Sequence, residues 1–268
     1  MRQCAALACR GLGAAERGRL TMRLTIVGSG DAFGSGGRFN TCFWLETAKA
    51  TLMLDCGASS PVALKGRRLA FDQVDGVILS HLHGDHFGGL VFLLLDEQLL
   101  QRRTRPLLIA GPPTTRARIE AALEVFFPKA ASNQWRFPFT IVEIEPGRLA
   151  DVLGHAVLTT EVVHRSGAPS TALRVSDGEK LIAYSGDTEW TEALLPVADG
   201  ADLLIIECYG YARRVPGHLT WEILKPRLAD LRAKRIMTTH MNAQMLEHLD
   251  EVRAAGLEVA QDGAVVEI

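Results

Sequence analysis

One short segment constrains the fold of this chain more than any other, the run His81-Leu82-His83-Gly84-Asp85-His86, which directly follows an apolar stretch at residues 77–79. Side chains two residues apart in extended backbone lie on the same side, so the rings of His81 and His83 point together. Gly84 lets the chain turn back, which brings Asp85 and His86 to a neighbouring point. Four potential ligands on one turn predict two adjacent metal ions rather than a solvated histidine-rich turn.

Three further potential ligands follow predicted strands. His164 ends the strand predicted over residues 159–163, Asp187 comes after the strand that ends at residue 185, and His240 ends the strand over residues 235–239. Each alone has a structural explanation, because a lone histidine at a strand end is more often a core or surface residue. Asp187 also fits a helix N-cap. Joined to the first cluster, the three residues favour a closed metal centre.

Short apolar or β-branched segments bounded by Gly, Asp or Ser predict strands in two groups. They cover residues 22–27, 42–46, 51–55, 74–80 and 107–110, and then 140–144, 156–163, 171–175, 181–185 and 203–207. Helices are predicted over residues 89–103, 114–127, 190–197, 220–232 and 247–256. This clustering predicts an α+β fold with two facing sheets and helices outside, rather than one doubly wound parallel sheet. Residues 22–268 contain no repeat or linker and are expected to form a single domain.

Composition excludes several classes of protein. The 29 basic and 31 acidic residues leave a net charge of −2, which gives no basic footprint for extended nucleic acid. The longest apolar run, residues 90–95, falls well short of the ~20 residues that cross a bilayer. Five cysteines without a CxxC pair argue against a disulfide framework and favour a reducing, cytoplasmic setting. Residues 1–21 look detached and are expected to be a flexible N-terminal extension or to precede the true translation start.

Several motifs resemble the metallo-β-lactamase superfamily and, within it, the ribonuclease Z-like branch. They are SHLHGDHFGGL, LMLDCG, GSGD, SGDT, GHLT and TTH, spread over residues 22–268. That branch includes the tRNA 3′-end-processing enzymes and the accessory phosphodiesterase of the carbon–phosphorus lyase system. The resemblance implies an αββα four-layer sandwich of two mixed sheets, with the metal ions at one edge.

The resemblance also implies which residues bind metal. One ion would be held by His81, His83 and His164, the other by Asp85, His86 and His240, with Asp187 bridging both. Zinc is the expected metal, and manganese, iron or nickel are alternatives, since such sites accept all four. A metal-bridging water would lose its proton near neutral pH and attack as hydroxide, which Asp85 would orient or deprotonate.

Three other residues match motifs of the branch. His218 is implied to donate a proton or hydrogen bond to the scissile phosphate or leaving group, unless it is only a helix-start residue. Asp55 is expected to orient a ligand histidine, although an ordinary turn carboxylate is nearly as well supported. Glu207, expected to be buried, resembles the acidic residue that steadies the catalytic histidine. His155 and His248 match no motif.

Two departures from the branch narrow the choice of substrate. Only 22 residues separate His164 from Asp187, where the tRNA-processing enzymes usually carry a long tRNA-binding arm, and no basic patch replaces it. The cysteine-based structural zinc site of some carbon–phosphorus lyase accessory enzymes is also missing from the sequence. The glycine-rich segment 28–34 has Phe33 at the third glycine position of a dinucleotide-binding fingerprint, so that motif is rejected.

The leading hypothesis is a binuclear metal-dependent hydrolase, a phosphodiesterase using a metal-bridging hydroxide on a small or nucleotide-like phosphodiester. One alternative keeps the metal centre and changes the substrate to a lactone, thioester, β-lactam or sulfate ester. A tRNA 3′-processing endoribonuclease is disfavoured by the missing arm. A non-catalytic metal-binding or cofactor-biosynthesis protein is disfavoured by the complete ligand set. The expected partner is a small ester substrate, not a membrane, and homodimerisation is left open because relatives often dimerise.

Overall fold

The computed structural model describes residues 22–132 and 134–268, and the flexible extension expected over residues 1–21 lies outside them. Fourteen strands are described: β1 (Arg23–Gly28), β2 (Cys42–Glu46), β3 (Thr51–Leu54), β4 (Gly76–Ile78), β5 (Leu107–Gly111), β6 (Phe139–Glu143), β7 (Leu149–Val152), β8 (His155–Glu161), β9 (Thr171–Ser176), β10 (Leu181–Tyr184), β11 (Leu203–Glu207), β12 (Ile236–Thr239), β13 (Glu258–Val259) and β14 (Val265–Glu267). They form two seven-stranded sheets, ordered β14-β1-β2-β3-β4-β5-β6 and β13-β12-β11-β10-β9-β8-β7. Both sheets are mixed, because β3 to β6 and β10 to β13 run parallel while the other pairs are antiparallel.

Helices cover the outer faces of the two sheets. They are α1 (Ser60–Gly66), α2 (Gly84–Phe87), α3 (Gly89–Asp96), α4 (Thr115–Phe126), α5 (Leu194–Ala198), α6 (Trp221–Leu224), α7 (Ala243–Leu246) and α8 (Leu249–Ala254). A π-turn over Glu97–Gln101 continues α3, and a 3₁₀ segment over Lys225–Asp230 continues α6. None of the helices in the described ranges combines the length and the hydrophobicity that crossing a membrane requires.

Three apolar clusters hold the layers together. The central cluster packs the sheets face to face, with Leu45 and Leu52 from one sheet and Val175 and Ile205 from the other, all fully buried. A second cluster joins the first sheet to α1, α3 and α4, and a third joins the second sheet to α5, α6 and α8. Burying one such aliphatic side chain contributes about 1.5–3 kcal/mol. The predicted αββα sandwich is confirmed.

Some predicted elements differ from the observed ones for local reasons. The helix predicted over residues 190–197 begins only at Leu194, because the preceding segment is held in the site by a hydrogen bond from the Thr188 amide to the carboxylate of Glu207. The helix predicted over residues 220–232 narrows to 3₁₀ geometry after Leu224, since Pro226 has no amide hydrogen to donate.

The topology brings the carboxyl ends of several strands to one edge. The chain leaves β4, β8, β10 and β12 at this edge with the segments that carry the predicted ligands, and β11 ends there at Glu207. The sheets are linked there by the amide of Thr171, which donates to the carbonyl of Ser80 at 3.0 Å. The glycine-rich loop after β1 also lies there, where the Ser29 carbonyl accepts from the His240 amide at 3.1 Å. Asp262 fixes that loop by accepting from the amides of Ser29 and Phe39, both at 2.8 Å.

Candidate metal centre

The turn after β4 is cradled by the turn after β3. The amide of Cys56 donates to the carbonyl of His86 at 2.6 Å, and the amide of Ala58 donates to the carbonyl of Gly84 at 3.2 Å. Gly57 packs so closely on this turn that a Cβ there would lie 1.9 Å from the carbonyl oxygen of Asp85. The position of the histidine-rich turn is therefore set by backbone contacts rather than by its own sequence.

The first three predicted ligands lie together. His164 Nε2 is 2.9 Å from His83 Nδ1, and the rings of His81 and His83 are 5.0 Å apart. His164 Nδ1–H donates to the carbonyl of Gly217 at 2.8 Å, which turns Nε2 toward the other two rings. Ligand atoms of the three histidines all lie within 4.8 Å of one another. Neutral imidazole nitrogens in such a group are suited to one cation.

A second group of four residues adjoins the first, and its ligand atoms also lie within 4.8 Å of one another. Asp85 Oδ2 is 3.3 Å from His86 Nε2 and 3.4 Å from His240 Nε2. The fourth member, Asp187, has Oδ1 at 3.3 Å from His86 Nε2. Its Oδ2 is 3.9 Å from His81 Nε2, so its two oxygens face both groups. The Asp187 carboxylate therefore lies close to histidines of both groups.

Unpartnered buried atoms test whether this cluster fits metal ions. Buried polar groups in proteins are nearly always hydrogen-bonded. Of eleven buried side-chain atoms without a hydrogen-bond partner among the described residues, four belong to the cluster: His81 Nε2, His86 Nε2, Asp187 Oδ1 and His240 Nδ1. Three of them are atoms that face the middle of the cluster. The donor set and these unpartnered atoms fit divalent cations.

The buried carboxylate of Asp55 supports the ligand cluster through hydrogen bonds. Asp55 Oδ2 accepts from His86 Nδ1 and from the Ser80 hydroxyl, each at 2.7 Å, and from the Tyr184 hydroxyl at 2.9 Å. Ser80 Oγ is also 3.0 Å from His81 Nδ1. The hydrogen bond from Nδ1 fixes the His86 ring with Nε2 facing inward, as a ligand requires. Sequence reasoning singled out Asp55 and missed Tyr184, which strand patterning marks only as a buried residue.

Burial and neighbouring charges shift the pKa values of the side chains in both groups of candidate ligands. Burial lowers the pKa of His81 well below its ordinary value. Burial also lowers the pKa of His240, but Asp187 and Asp85 more than compensate and raise it to about 9. For Asp187, burial raises the pKa, but His240 and His86 outweigh it and hold the pKa well below the usual range. The carboxylates are therefore ionised at neutral pH, the form that binds a cation.

His218 stands beside the cluster with its own support. Its Nδ1 is 3.3 Å from Glu207 Oε2, and Glu207 is fully buried, as predicted. Tyr209, which the sequence did not single out, stacks on the His218 ring with centroids 4.5 Å apart. Burial lowers the pKa of His218, but Glu207 and Asp187 raise it above its ordinary value overall. The ring is thus oriented and favoured in the protonated state.

A cavity of about 440 Å³ opens beside the cluster, and His83, His164 and His218 line it. Arg165 also lines it and has no hydrogen-bond or ion-pair partner among the described residues. The cavity therefore presents an unpaired guanidinium next to the candidate ligands, and the carboxylate of Glu189 also lines it.

The two histidines without a motif have structural partners. His155 is buried and its Nε2 lies 2.9 Å from the hydroxyl of Thr47, while His248 stacks on Tyr211 with ring centroids 3.6 Å apart. Three cysteines, Cys42, Cys56 and Cys208, are buried free thiols, and burial raises the pKa of each.

Comparisons with known proteins identify a family and several similar proteins. The family model described as Anti-Pycsar protein Apyc1 matches residues 22–265. The chain is 30% identical to the Anti-Pycsar protein Apyc1 of Paenibacillus sp. over 66% of this chain and 71% of that protein. It is 26% identical to the ribonuclease Z of Ignicoccus hospitalis, with 86% of this chain and 92% of that protein covered. The metallo-β-lactamase fold protein YhfI of Bacillus subtilis superposes with a TM-score of 0.73 at 21% identity, covering 92% of this chain and 99% of YhfI.

Proposed function

We propose that this chain, which belongs to the Anti-Pycsar protein Apyc1 family, hydrolyses a small or nucleotide-like phosphodiester. The chain has the metallo-β-lactamase fold and is a metal-dependent hydrolase. The observation that carries the finer proposal is His218, held by Glu207 at 3.3 Å and lining the cavity beside the ligand cluster. The metal ligands do not distinguish among the ester classes that this fold hydrolyses. A positioned general acid does, because a poor alkoxide leaving group requires one.

Two cations are assigned to the cluster in this proposal. His81, His83 and His164 would hold one and Asp85, His86 and His240 the other, with Asp187 between them. Zinc is the expected metal, with manganese, iron and nickel as alternatives. When bound, the cations supply Lewis-acid charge that offsets the phosphoryl oxygens and makes water more acidic.

The remaining steps belong to the side chains. Asp85 is only partly buried, so its carboxylate can orient the attacking water and accept its proton. His218 donates a proton to the departing oxygen, and Glu207 keeps its ring in place for that transfer. A protonated His218 next to the leaving group is also more favourable when the substrate brings a negative charge.

An unpaired arginine in the lining of the cavity supports an anionic substrate. Arg165 is exposed and unpaired among the described residues, so it can attract a phosphodiester but gives no advantage to a neutral lactone.

Segment 165–186 supports a small substrate over tRNA. It consists of β9, β10 and short connections, so no arm projects from that part of the structure. A ribonuclease function is the second candidate, because the chain is similar to ribonuclease Z proteins but lacks such an arm in this part of the structure.

The proposal is tested by comparing a dinucleoside monophosphate, whose leaving group is an alkoxide, with a panel of lactones in the wild type and His218→Ala. We expect kcat on the phosphodiester to fall by about 10²–10⁴-fold, since that is the usual contribution of a general acid. Lactone turnover should change far less, because hydroxide adds to the lactone carbonyl before the leaving group departs, and that addition needs no acid at the leaving oxygen. His248→Ala, which replaces a histidine stacked on Tyr211, is the matched control.

Metal analysis of the same variants separates the two roles open to His218. Its ring nitrogen lies within 4.8 Å of ligand atoms of His164 and Asp187, so it could also hold a cation. We expect His218→Ala to retain the metal content of the wild type. Loss of metal, or equal loss of both activities, would contradict the assignment of His218 as the acid. A precursor tRNA assayed alongside tests the second candidate.

A further inference from the structure

We propose that Glu189 is a positioning residue that fixes the loop of residues 211–218 against the candidate metal centre; its effect on His218 rests on the proposed phosphodiesterase function. Glu189 Oε1 accepts from the Gly217 amide at 2.7 Å. The Gly217 carbonyl in turn accepts from Nδ1–H of His164 at 2.8 Å. Gly217 is therefore bound on one side by a carboxylate and on the other by a proposed metal ligand, and the residue that follows it is His218.

Few hydrogen bonds connect the 211–218 loop to the rest of the protein. At its start, the hydroxyl of Tyr211 donates to the carboxylate of Glu251 at 3.2 Å. Within the part of the chain that the structure describes, residues 212–216 have no hydrogen bond or ion pair with a residue outside the loop. Gly217 is therefore the first residue after Tyr211 whose backbone is held from outside the loop by a side chain.

The conformation of Gly217 makes an external partner necessary. Its φ of 85° lies in the left-handed region, and a Cβ at this position would lie 2.9 Å from His164 Nδ1. Only glycine fits so close to the histidine ring, but a glycine restricts its own backbone less than any other residue does. The direction of its carbonyl, and with it the orientation of the His164 ring, therefore depends on the acceptor that holds its amide.

The main chain of Glu189 is itself attached to the segment that carries His164. The Glu189 amide donates to the carbonyl of Val163 at 3.0 Å, and the Val163 amide donates to the hydroxyl of Thr188 at 3.1 Å. The backbone at residues 188–189 thus holds the residue that precedes His164, while the side chain of Glu189 holds the residue that the His164 ring contacts. Both attachments of this ligand meet in Glu189.

A direct contact with the substrate is the competing role for Glu189. Its side chain is exposed and lines the cavity beside the ligand cluster, so its charge could act on a bound anion. The two roles differ in what they require of the side chain. Positioning requires an oxygen that accepts from the Gly217 amide, and glutamine supplies one without the charge. An effect on the substrate through charge is lost in glutamine and alanine alike.

Amide hydrogen exchange and metal affinity test the positioning role without any assay of activity. In the metal-free protein, we expect Glu189→Ala to speed exchange at the Gly217 amide, because its acceptor is lost. Competition with a chromophoric chelator should show metal affinity about tenfold lower, as is usual when the support of a ligand histidine is removed. Glu189→Gln should stay close to the wild type in both measurements. Glu192→Ala, which removes an exposed carboxylate that accepts from the Trp190 side chain, is the matched control. Wild-type exchange and affinity in Glu189→Ala would overturn the inference.

Kinetics with the dinucleoside monophosphate distinguish failure of this inference from failure of the proposed function. We expect kcat to fall about tenfold in Glu189→Ala with little change in KM, and to be retained in Glu189→Gln. If both variants change KM equally and keep the wild-type kcat, Glu189 acts on the substrate through its charge and the inference is wrong. If the wild type cleaves no phosphodiester but Glu189→Ala still weakens metal binding, the phosphodiesterase proposal fails and the positioning of His164 stands.

Discussion

At the scale of single residues, Asp55 supports the candidate centre through four hydrogen bonds. Its two carboxylate oxygens accept from the amide and hydroxyl of Ser80, from His86 and from Tyr184, all within 2.9 Å. It also adopts a left-handed backbone conformation, with φ of 58°, which non-glycine residues rarely hold without a compensating gain. The hydrogen bonds from Ser80 and His86 orient the beginning and the end of the histidine-rich turn, residues 81–86.

Asp55→Asn should weaken metal binding about 10–100-fold, the usual effect of losing the group that orients a ligand histidine. The amide nitrogen of asparagine cannot accept from His86, so that ring would lose its fixed orientation. Competition with a chromophoric chelator measures the affinity. Asp250→Asn, on a fully exposed side chain, is the control, and equal affinities in the two variants would contradict the role of Asp55.

The sequence predicted the ligands better than their supports for a physical reason. The histidine-rich turn is a local pattern, so spacing alone brings His81, His83, Asp85 and His86 together. The partner of Asp55 on the other sheet, Tyr184, is 129 residues away in the chain. The continuous apolar run of β10 indicates only that Tyr184 is buried, and no local signal indicates what its hydroxyl contacts.

At the scale of elements, the ligand turn depends on a glycine in a different loop. A Cβ at Gly57 would meet the carbonyl oxygen of Asp85 at 1.9 Å, which is backbone that cannot move without displacing the turn. Gly66, at the end of α1, has open space where its Cβ would lie.

Gly57→Ala should therefore lower both the melting temperature and the metal affinity, because the two turns must separate to admit the methyl group. Gly66→Ala should leave both within a small margin, or raise stability by about 0.4–1 kcal/mol through the unfolded state. Thermal unfolding and metal titration of the two variants provide the measurement. Equal behaviour would show that the contact between the two turns does not determine the site.

Elements with a clear pattern were predicted to within a few residues, and β2 and β11 were predicted without error. The missed strands β7, β13 and β14 are two to four residues long and lie at or beside the sheet edges, where half-exposed side chains give no alternation. Their assignment depends on pairing with distant segments, which single-sequence patterns do not contain.

At the scale of the whole molecule, the proposed ligands come from segments that follow strands of both sheets. His81 and His86 follow β4 of the first sheet, whereas His164, Asp187 and His240 follow strands of the second. A bound cation therefore connects the two halves of the sandwich.

Chelation should lower the melting temperature of the entire chain and abolish hydrolysis. A ligand present at 100 times its Kd stabilises the folded state by about 2.7 kcal/mol, and removing it reverses that gain. Differential scanning calorimetry before and after dialysis against a chelator measures the shift, and added zinc should restore it. A melting temperature indifferent to metal would contradict metal binding across the two sheets.

The two-sheet architecture was predictable because strand-rich segments fell into two groups with helices outside them. The order of strands was not, since β14 pairs with β1 across the length of the described chain. Such pairing depends on the complete fold rather than on any local sequence.

The position of Asp262 near residue 268 determines when, during synthesis of the chain, the edge that carries the candidate ligands can be completed. It holds Ser29 and Phe39, and Ser29 in turn accepts from the amide of His240, yet Asp262 follows every proposed ligand in chain order. During translation the nascent polypeptide thus carries all seven candidate ligands before the clasp that organises their edge has been made. We therefore expect the cations to bind after translation is complete. The chain would then have no hydrolase activity while it is still attached to the ribosome.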